Sequence, residues 1–171
     1  MRRVIVTPAG RKRYLEVLYE HLKRHRDSFD EWLLLVNTAD PADIGFCERL
    51  AARNQEWIDT RYAQGSDPSK HNLNIHLFLN EFCRDPDAAY LRLDDDVCYL
   101  APGFVEEMFR FRQAHPEPFL VYGNIINNAI VSWLHQKLGN FAYKEHSKYY
   151  FIDDVGSVSY THLTLPTTSR V

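Results

Sequence analysis

The chain has 171 residues, with 20 Lys or Arg and 23 Asp or Glu, so its formal net charge at pH 7 is −3. Without an excess of positive charge, neither nucleic acid nor an anionic membrane surface is expected as the main partner. No apolar run comes close to the roughly 18 residues that a membrane span needs, and the first residues lack the pattern of a signal peptide. The length suits a single α/β domain with its own hydrophobic core.

The chain contains three cysteines, Cys47, Cys83 and Cys98, which lie far apart in sequence. Their number is odd, and none stands in a Cys-x-x-Cys or Cys/His pattern, so neither a disulfide framework nor a zinc site is predicted. Reduced thiols of this kind are typical of cytosolic proteins, and we therefore expect a cytoplasmic location.

Hydrophobic runs and helical stripes alternate along the chain. The runs predict β-strands at residues 4–7, 32–36, 57–62, 88–93 and 119–122. Apolar residues at three- and four-residue spacing predict helices that begin near residues 11, 41, 72, 102 and 130. Strands that alternate with helices are typical of βαβ units, so the predicted fold class is α/β, with a mostly parallel central sheet flanked by helices.

Three consecutive carboxylates, Asp94, Asp95 and Asp96, come directly after the apolar run at residues 88–93. Adjacent acids repel one another, and burying a carboxylate without a counter-charge costs several kcal/mol. Residues 97–100 are again hydrophobic, so the triplet is not expected in a loose surface loop. Mg²⁺ and Mn²⁺ prefer oxygen ligands, and two carboxylates at a strand end can hold such an ion while substrate phosphates complete its coordination. The pattern therefore predicts a divalent-metal site.

Polar residues follow the ends of four predicted strands: Thr7-Pro8, Asn37-Thr38, the acidic triplet, and Asn124 with Asn127-Asn128. Because ligands gather at the carboxyl ends of parallel strands, we expect these residues along one edge of the sheet. The strand before the triplet is predicted to be central and buried on both faces, with Thr7, Asn37 and Asp94 facing a common cleft. Residues 11–13, all basic, follow the first strand, where an anion would also meet the N–H groups of a helix start.

Several signatures of nucleotide enzymes and hydrolases are absent from the sequence. No Gly-x-Gly-x-x-Gly follows the first strand and no Gly-Lys-Ser/Thr loop occurs, which argues against a dinucleotide enzyme and a P-loop NTPase. A Gly-x-Ser-x-Gly nucleophile elbow is missing as well. The interpretation that remains is a metal-bridged diphosphate bound at the end of a mid-chain strand.

A strand near the amino terminus, alternating β and α units, and the sequence Leu-Arg-Leu-Asp-Asp-Asp-Val at residues 91–97 together resemble a known family. Over residues 3–138 the chain is similar to the nucleotide-sugar-binding half of GT-A-type, family-2-like glycosyltransferases, and the triplet resembles their DXD motif. The resemblance implies a Rossmann-like GT-A fold with Mn²⁺ or Mg²⁺ as cofactor. It also implies transfer of a sugar from a nucleotide-sugar donor to a hydroxyl of a glycan or other acceptor.

The resemblance further implies roles for individual residues. Asp94 is expected toward the ribose or a metal-bound water, and Asp96 is expected to ligate the metal that bridges the two phosphates, so Asp94 and Asp96 form the metal site. The implied donor-binding residues are Thr7, Pro8, Ala9, Arg13, Asn37, Arg92, Asp94 and Asp95. On the acceptor side the expected residues are Asn124, Asn127 and Asn128, and the candidates for the catalytic base are Asp153 and Asp154.

Two other interpretations stay open. A sugar-phosphate nucleotidyltransferase also uses paired acids and Mg²⁺, usually with a Gly-rich basic loop after the first strand, and residues 8–13 are a faint version of that loop. The other is a non-catalytic module with a GT-A-like fold that binds a glycan or a partner. Release of pyrophosphate would indicate the nucleotidyltransferase, and metal-dependent binding of a nucleotide-sugar without turnover would indicate the binding module.

The end of the chain has a different origin in our interpretation. Residues 158–167, VSYTHLTLPT, match codon by codon the in-frame translation of a transposase adapter used for sequencing libraries. We therefore expect residues 157–171 to be a non-native tail without a packed place. Residues 1–156 are then a GT-A-like domain truncated at its C-terminal end, near Gly156. A fragment of this kind can bind a nucleotide and still be inactive.

Overall fold

The computed structural model describes residues 1–67, 69–118, 120, 121, 123–125, 166 and 167. The strands are β1 (Arg2–Ala9), β2 (Glu31–Val36), β3 (Ile58–Arg61), β4 (Ala88–Arg92), β5 (Asn124–Ile125) and β6 (Pro166–Thr167). The helices are α1 (Lys12–Arg24), α2 (Pro41–Arg53), α3 (His71–Phe82) and α4 (Phe104–Ala114), and a single 3₁₀ turn, Arg26–Ser28, follows α1.

The first four strands form one parallel sheet in the order β3-β2-β1-β4. β1 lies between β2 and β4, with Val4 opposite Glu31 on one side and Tyr90 on the other. Helices connect the parallel strands, as crossover connections require. The predicted α/β class with a largely parallel sheet is confirmed.

The position of β4 in the sheet differs from the prediction. In the part of the chain that the structure describes, β4 pairs with β1 alone and is the end strand of the four, not a central one. Its burial alternates, with Ala89 and Leu91 buried and Arg92 exposed. One face of β4 is therefore packed in the core, while the other is more open toward its carboxyl end.

The helices form where the apolar stripes and caps predict them. Leu15, Leu18 and Leu22 are the fully buried residues of α1 and recur on one helix face. At the start of α2, the carboxylate of Asp40 accepts a hydrogen bond of 2.8 Å from the Ala42 N–H, and Pro41 occupies the first helical position. Gly103 precedes α4 with φ of +76°, a left-handed conformation that glycine adopts without strain.

The core has two parts, one on each face of the sheet. Buried residues of α1, α2 and α4 pack on one face, against strand residues that include Ile5, Trp32 and Leu34. α3 packs on the other face through Phe78, against Val4, Val6, Leu33 and Leu35 of β1 and β2, among other contacts. We call these the α1 face and the α3 face of the sheet. Because successive side chains of a strand point to opposite faces, this division fixes where each strand residue points.

The fifth strand, expected after α4 at residues 119–122, is not found among the described residues of that range. Leu120 and Val121 are not in a strand, and the other two residues of that range lie outside the described part of the chain. The next strand is β5, which pairs antiparallel with β6 of the tail. The two residues of β6 therefore pair with β5. They do not pair with β1, whose two neighbours in the sheet are β2 and β4. The adapter origin of residues 157–171 stays a prediction, and the helix predicted from residue 130 lies outside the described residues.

The three cysteines are free thiols, and Cys47 is fully buried in the core. Burial raises the pKa of the Cys47 thiol to about 12 and that of Cys83 to about 11. Thiolates are therefore scarce at both positions near neutral pH, which makes these cysteines poor nucleophiles. Among the described helices, none combines the length and the apolar character that a membrane span needs.

Candidate functional site

A cleft of about 370 Å³ opens at the carboxyl end of the parallel sheet. It is lined by residues at or just after the ends of β1, β2 and β4, together with one residue from the N-terminal half of α3: Pro8, Gly10, Arg11, Asn37, Thr38, Ile75, Arg92, Asp94, Asp95 and Asp96. The strand ends of one sheet edge thus meet in a single cavity, as expected for a parallel α/β sheet.

The cleft lies on the α3 side of the sheet, as the alternation of side chains along β1 and β2 shows. Pro8 has the same parity in β1 as Val4 and Val6, which pack on the α3 face. The Asn37 N–H donates to the Ala9 carbonyl at 2.8 Å, so the β1–β2 ladder extends one residue beyond β2. Asn37 therefore continues the α3-facing series of Leu33 and Leu35.

The acidic triplet occupies a tight turn at the end of β4. The Leu93 N–H donates to the Val6 carbonyl at 3.0 Å, and the Val97 N–H donates to the Asp94 carbonyl at 3.2 Å. Leu93 and Val97 are both buried, so apolar residues anchor the turn at each end. The Asp94 side chain is 39% exposed. Those of Asp95 and Asp96 are only 6% and 5% exposed, so the turn holds two carboxylates out of water.

The counter-charge for the two buried carboxylates is Arg11. Its Nε donates to Asp95 Oδ1 at 3.0 Å, its Nη2 also contacts Asp95 Oδ1, and the same Nη2 lies 3.0 Å from Asp96 Oδ2. The hydrogen bond to Asp95 is the main reason why the pKa of Arg11 is raised above its ordinary value. A guanidinium fork that bridges two carboxylates is a charge-assisted arrangement, and such hydrogen bonds are among the stronger ones in proteins.

Asp95 also connects β4 with the turn between β1 and α1. Its Oδ2 accepts a hydrogen bond from the Gly10 N–H at 3.1 Å. Gly10 is packed closely against the end of β2, since an added Cβ would lie 3.1 Å from the Asn37 carbonyl oxygen. In the next turn, the Lys12 N–H donates to Asp43 Oδ1 at 2.9 Å. Carboxylates of this chain thus already occupy two N–H groups at the start of α1, where the sequence suggested an anion site.

Asp94 has a cationic partner of its own. Arg92 donates from Nε and Nη2 to Asp94 Oδ1 at 3.0 Å and 2.8 Å. The two residues are separated by one position at the end of β4, and both line the cleft. Because both side chains are well exposed, this pair contributes little to stability and can exchange partners at low cost.

A buried amide, Asn74, connects the cleft with the loop before α3. Its Nδ2 donates to Asn37 Oδ1 at 2.9 Å and to the Asp67 carbonyl at 2.8 Å, and its Oδ1 accepts from the Asp67 N–H at 3.0 Å. Asn74 is 2% exposed, so these hydrogen bonds satisfy a group that would otherwise be costly to bury. The network holds the Asn37 side chain in position at the mouth of the cleft.

Several residues expected at the donor site lie elsewhere. Thr7 and Ala9 have the opposite parity to Pro8, are fully buried, and belong to the α1 side of the sheet. The Thr7 hydroxyl accepts a hydrogen bond of 2.9 Å from the Trp32 indole N–H, so its side chain does not share a cleft with Asn37 and Asp94. Arg13 does not line the cleft; its guanidinium lies 4.5 Å from the centre of the Tyr14 ring.

The structure does bring Pro8, Asn37, Arg92, Asp94, Asp95 and Asp96 together in the cleft. Asn124 lies in β5, and the other acceptor-side and base candidates, Asn127, Asn128, Asp153 and Asp154, lie outside the described residues. The predicted site residues did not include Arg11 or Asn74. The sequence indication for Arg11 was its place in the basic run after β1, and Asn74 stood at a predicted helix start, where a residue suits either a capping role or contact with a nucleotide.

The oxygen atoms of the cleft are the donors that a divalent cation would use. Among the described residues, no group of three or more His, Cys, Asp or Glu side chains could hold a metal ion. Mg²⁺ and Mn²⁺ sites that include substrate phosphates need only one or two protein carboxylates, however. Asp94 and Asp96 lie in one cleft and supply oxygen donors of the required kind, so they fit a site that a diphosphate completes.

A second depression, of about 620 Å³, lies at the opposite, amino-terminal end of the sheet. Its lining includes Arg2, Asp30 and Glu31 at the amino ends of β1 and β2. Arg2 pairs with Glu31, and Arg3 donates to Asp30 Oδ1 at 2.8 Å. Asp30 is exposed and Glu31 is partly exposed, so neither of these acids is as buried as Asp95 and Asp96 in the cleft.

No protein-family model matches this chain, and no curated protein sequence matches it either.

Proposed function

We propose that this chain is the nucleotide-sugar-binding part of a metal-dependent glycosyltransferase, which transfers a sugar from a nucleotide-sugar donor to an acceptor hydroxyl. The observation that supports the proposal most is the meeting of Asp94 and Asp96 with the ends of β1 and β2 in one cleft. A nucleoside diphosphate needs both a surface for its base and ribose and a charge-compensated place for its phosphates, and this cleft offers the two side by side.

The residues of the cleft divide between these two tasks in the proposal. Pro8 and Asn37 flank the base and ribose, and the partly buried hydrogen bond from Asn74 orients the Asn37 amide. Asp94 and Asp96 hold Mn²⁺ or Mg²⁺, while Arg92 on β4 is placed to reach the phosphates. When bound, the cation supplies Lewis-acid stabilisation of the negative charge that develops on the diphosphate leaving group.

The remaining parts of the reaction rest on residues that, apart from Asn124, lie outside the described part of the chain. A catalytic base is proposed at Asp153 or Asp154, and the acceptor is proposed to lie near Asn124, Asn127 and Asn128. The acceptor is a glycan or another hydroxyl compound, and the enzyme is proposed to work in the cytoplasm, where its three free thiols stay reduced.

The test is a calorimetric titration of the purified chain with uridine and guanosine diphosphates, in the presence and absence of Mn²⁺. If Asp94 and Asp96 bind the metal together with the diphosphate, each ligand should tighten the other by the same factor. Asp96→Asn removes one of the two charges while it keeps the shape, so it should remove most of this coupling without unfolding the protein. Asp87→Asn is the control, because Asp87 is exposed in the turn before β4.

Equal diphosphate affinity with and without Mn²⁺ would contradict the proposal, as would equal coupling in wild type and Asp96→Asn. The nucleotidyltransferase alternative is separated by the product. A glycosyltransferase releases a nucleoside diphosphate from the nucleotide-sugar, whereas a nucleotidyltransferase forms or consumes pyrophosphate.

A further inference from the structure

Two carboxylates of the cleft already have a cation beside them, and that cation belongs to the chain itself. Arg11 bridges Asp95 and Asp96 with one guanidinium group. The two acids have nearly buried side chains, whereas that of Arg11 is 46% exposed. The carboxylates are therefore enclosed by the protein, while the side chain that bridges them reaches in from the solvent side and stays partly exposed.

The contacts of the two carboxylates differ in a way that matters for a second cation. Asp95 is engaged on both oxygens, by the Gly10 N–H and by Arg11. Asp96 pairs with Arg11 through a contact of 3.0 Å, from Nη2 to Oδ2. Its main-chain carbonyl accepts from the Cys98 thiol at 3.3 Å, which helps hold the turn when Asp96 changes partner. Asp95 is built into the fold, and Asp96 is the one whose partner can be exchanged.

We propose that Arg11 is the resident counter-ion of the site: it occupies Asp96 in the ligand-free protein, yields Asp96 to the divalent cation, and then binds the diphosphate that arrives with it. This inference rests on the proposed function. The physical reason is repulsion, since a divalent ion on Asp96 and a guanidinium 3.0 Å from the same carboxylate repel each other and compete for its oxygens, and an added anion relieves that repulsion. A diphosphate supplies that anion, and planar guanidinium groups bind phosphate oxygens well.

The inference predicts opposite effects of one substitution on two affinities. Arg11→Gln removes the competitor for Asp96, so Mn²⁺ alone should bind more tightly than in wild type, by about tenfold if the competition is worth a typical coupling energy. The same variant loses a phosphate ligand, so the diphosphate should bind more weakly in the presence of Mn²⁺. The factor by which the two ligands tighten each other should therefore fall.

A purely structural role for Arg11 predicts a different result. If Arg11 only ties the start of α1 to the end of β4, its loss loosens the turn, and Mn²⁺ should then bind more weakly or unchanged. The matched control is Arg110→Gln, which removes an arginine from an ion pair with Glu107 in which both side chains are exposed. It should change neither affinity.

The experiment is titration of Mn²⁺ alone, and of Mn²⁺ with uridine diphosphate, into wild type, Arg11→Gln and Arg110→Gln, with circular dichroism to verify the fold. An unchanged or lower affinity of folded Arg11→Gln for Mn²⁺ alone overturns the inference. If wild type shows no coupling between metal and diphosphate, the proposed function itself fails. If coupling is present but Arg11→Gln leaves it intact, only the role of Arg11 fails.

A second measurement covers the case in which Arg11→Gln does not fold. In nitrogen-15 NMR spectra of the wild type, the Arg11 Nε–H, assigned with the help of Arg11→Lys, should shift when Mg²⁺ and uridine diphosphate are added together. The shift reports the change of partner from carboxylate to phosphate. An Arg11 resonance that stays in place at saturation contradicts the inference, without reference to any variant.

Discussion

The two ends of the parallel sheet both carry arginine–carboxylate pairs, yet the pairs differ in burial. At the amino-terminal end, Arg2 pairs with Glu31 and Arg3 with Asp30, and every side chain involved is at least 19% exposed. At the carboxyl end, Arg11 bridges Asp95 and Asp96, whose side chains are nearly inaccessible. The carboxylates that Arg11 contacts are thus removed from water, whereas those at the amino-terminal end stay partly hydrated.

This difference in burial decides what each pair can do. An exposed ion pair exchanges one set of hydrated contacts for another, so it contributes at most about 1 kcal/mol. A buried carboxylate has lost its hydration and depends on the cation and the N–H groups around it. At the carboxyl end, a change of the cation beside the carboxylates should therefore have a large effect on stability. At the amino-terminal end the effect should be small.

The largest expected effect comes from Asp95→Asn. The carboxylate accepts charge-assisted hydrogen bonds from Arg11 and a further one from Gly10, and the amide cannot accept all of them. Since hydrogen bonds to charged groups contribute about 1.5–3 kcal/mol, we expect a loss of about 2–3 kcal/mol in the free energy of unfolding, measured by urea denaturation. The full cost of a broken buried pair is not reached, because Arg11 can turn toward solvent.

Asp30→Asn at the amino-terminal end is the matched control for Asp95→Asn. Asp30 also accepts from an arginine side chain and from a backbone N–H, that of Arg3 at 2.7 Å, but in an exposed setting. The loss of unfolding free energy should stay at or below about 1 kcal/mol. Equal losses at Asp95 and Asp30 would show that burial does not separate the two ends.

A third substitution, Thr7→Val, tests which of two neighbouring residues at the carboxyl end faces the cleft. Thr7 is next to Pro8 in sequence but points to the α1 face, where its hydroxyl accepts from the Trp32 indole. Valine leaves that buried N–H without its acceptor, which should cost about 1–2 kcal/mol of unfolding free energy. Diphosphate affinity should be unchanged in the folded variant. A substantial loss of diphosphate affinity would instead place Thr7 at the donor site.

The smallest effect is expected at the amino-terminal end, from the pH dependence of His25. His25 is buried just after α1, and burial, with smaller contributions from His21 and Arg24, lowers its pKa below the ordinary value of 6.5. Below that value the unfolded state takes up a proton before the folded state does, so stability should fall as the pH drops from 6.5 toward the folded-state pKa.

Urea denaturation of wild type and His25→Gln at pH values between about 7.5 and about 5.5, which bracket the ordinary histidine pKa, measures this effect. The variant should lose the part of the decline that begins near 6.5. An identical pH profile in both proteins would show that the His25 imidazole titrates equally in the folded and unfolded states.

The sequence predicted the positions of the first four strands and the acidic turn because their signals are local. An apolar run at residues 88–93 that stops at three carboxylates defines both a strand and its end. The start of α2 could likewise be predicted from the sequence, since Asp40 and Pro41 act on their immediate neighbours. Such features depend on nothing beyond a few residues of chain.

The sequence did not show which of two neighbouring residues faces the cleft. Every residue of β1 from Val4 to Ala9 is buried, so no polar alternation reveals that Pro8 faces the cleft and Thr7 the opposite side. Similarly, residues 11–13 are all basic, and the direction of the turn at Gly10 decides that Arg11 reaches the triplet. These outcomes depend on tertiary packing rather than on residue type.

The local sequence patterns also did not predict the order of the strands in the sheet. An apolar run of four or five residues suits an end strand and a central strand equally, and β4 is the end strand among those described. At residues 119–122 a similar run predicted a strand, and the described Leu120 and Val121 are not in one. Hydrophobic runs identify buried segments more reliably than they identify hydrogen-bonded partners.

The central place of β1 has a consequence for how the chain folds. β1 meets β2 after one short βαβ crossover, with Val4 opposite Glu31, whereas its pairing with β4 joins Arg2 to Ala88. Closing the longer segment costs more chain entropy, so the β1–α1–β2 unit is expected to form first, and during synthesis it leaves the ribosome well before β4. Until β4 arrives, one edge of the largely apolar strand β1 is open to other chains, a known route to aggregation. The docking of β4 covers that edge of β1 and brings the acidic turn to Arg11 in the same event, so each newly made molecule acquires its candidate site in the step that protects β1 from pairing with other chains.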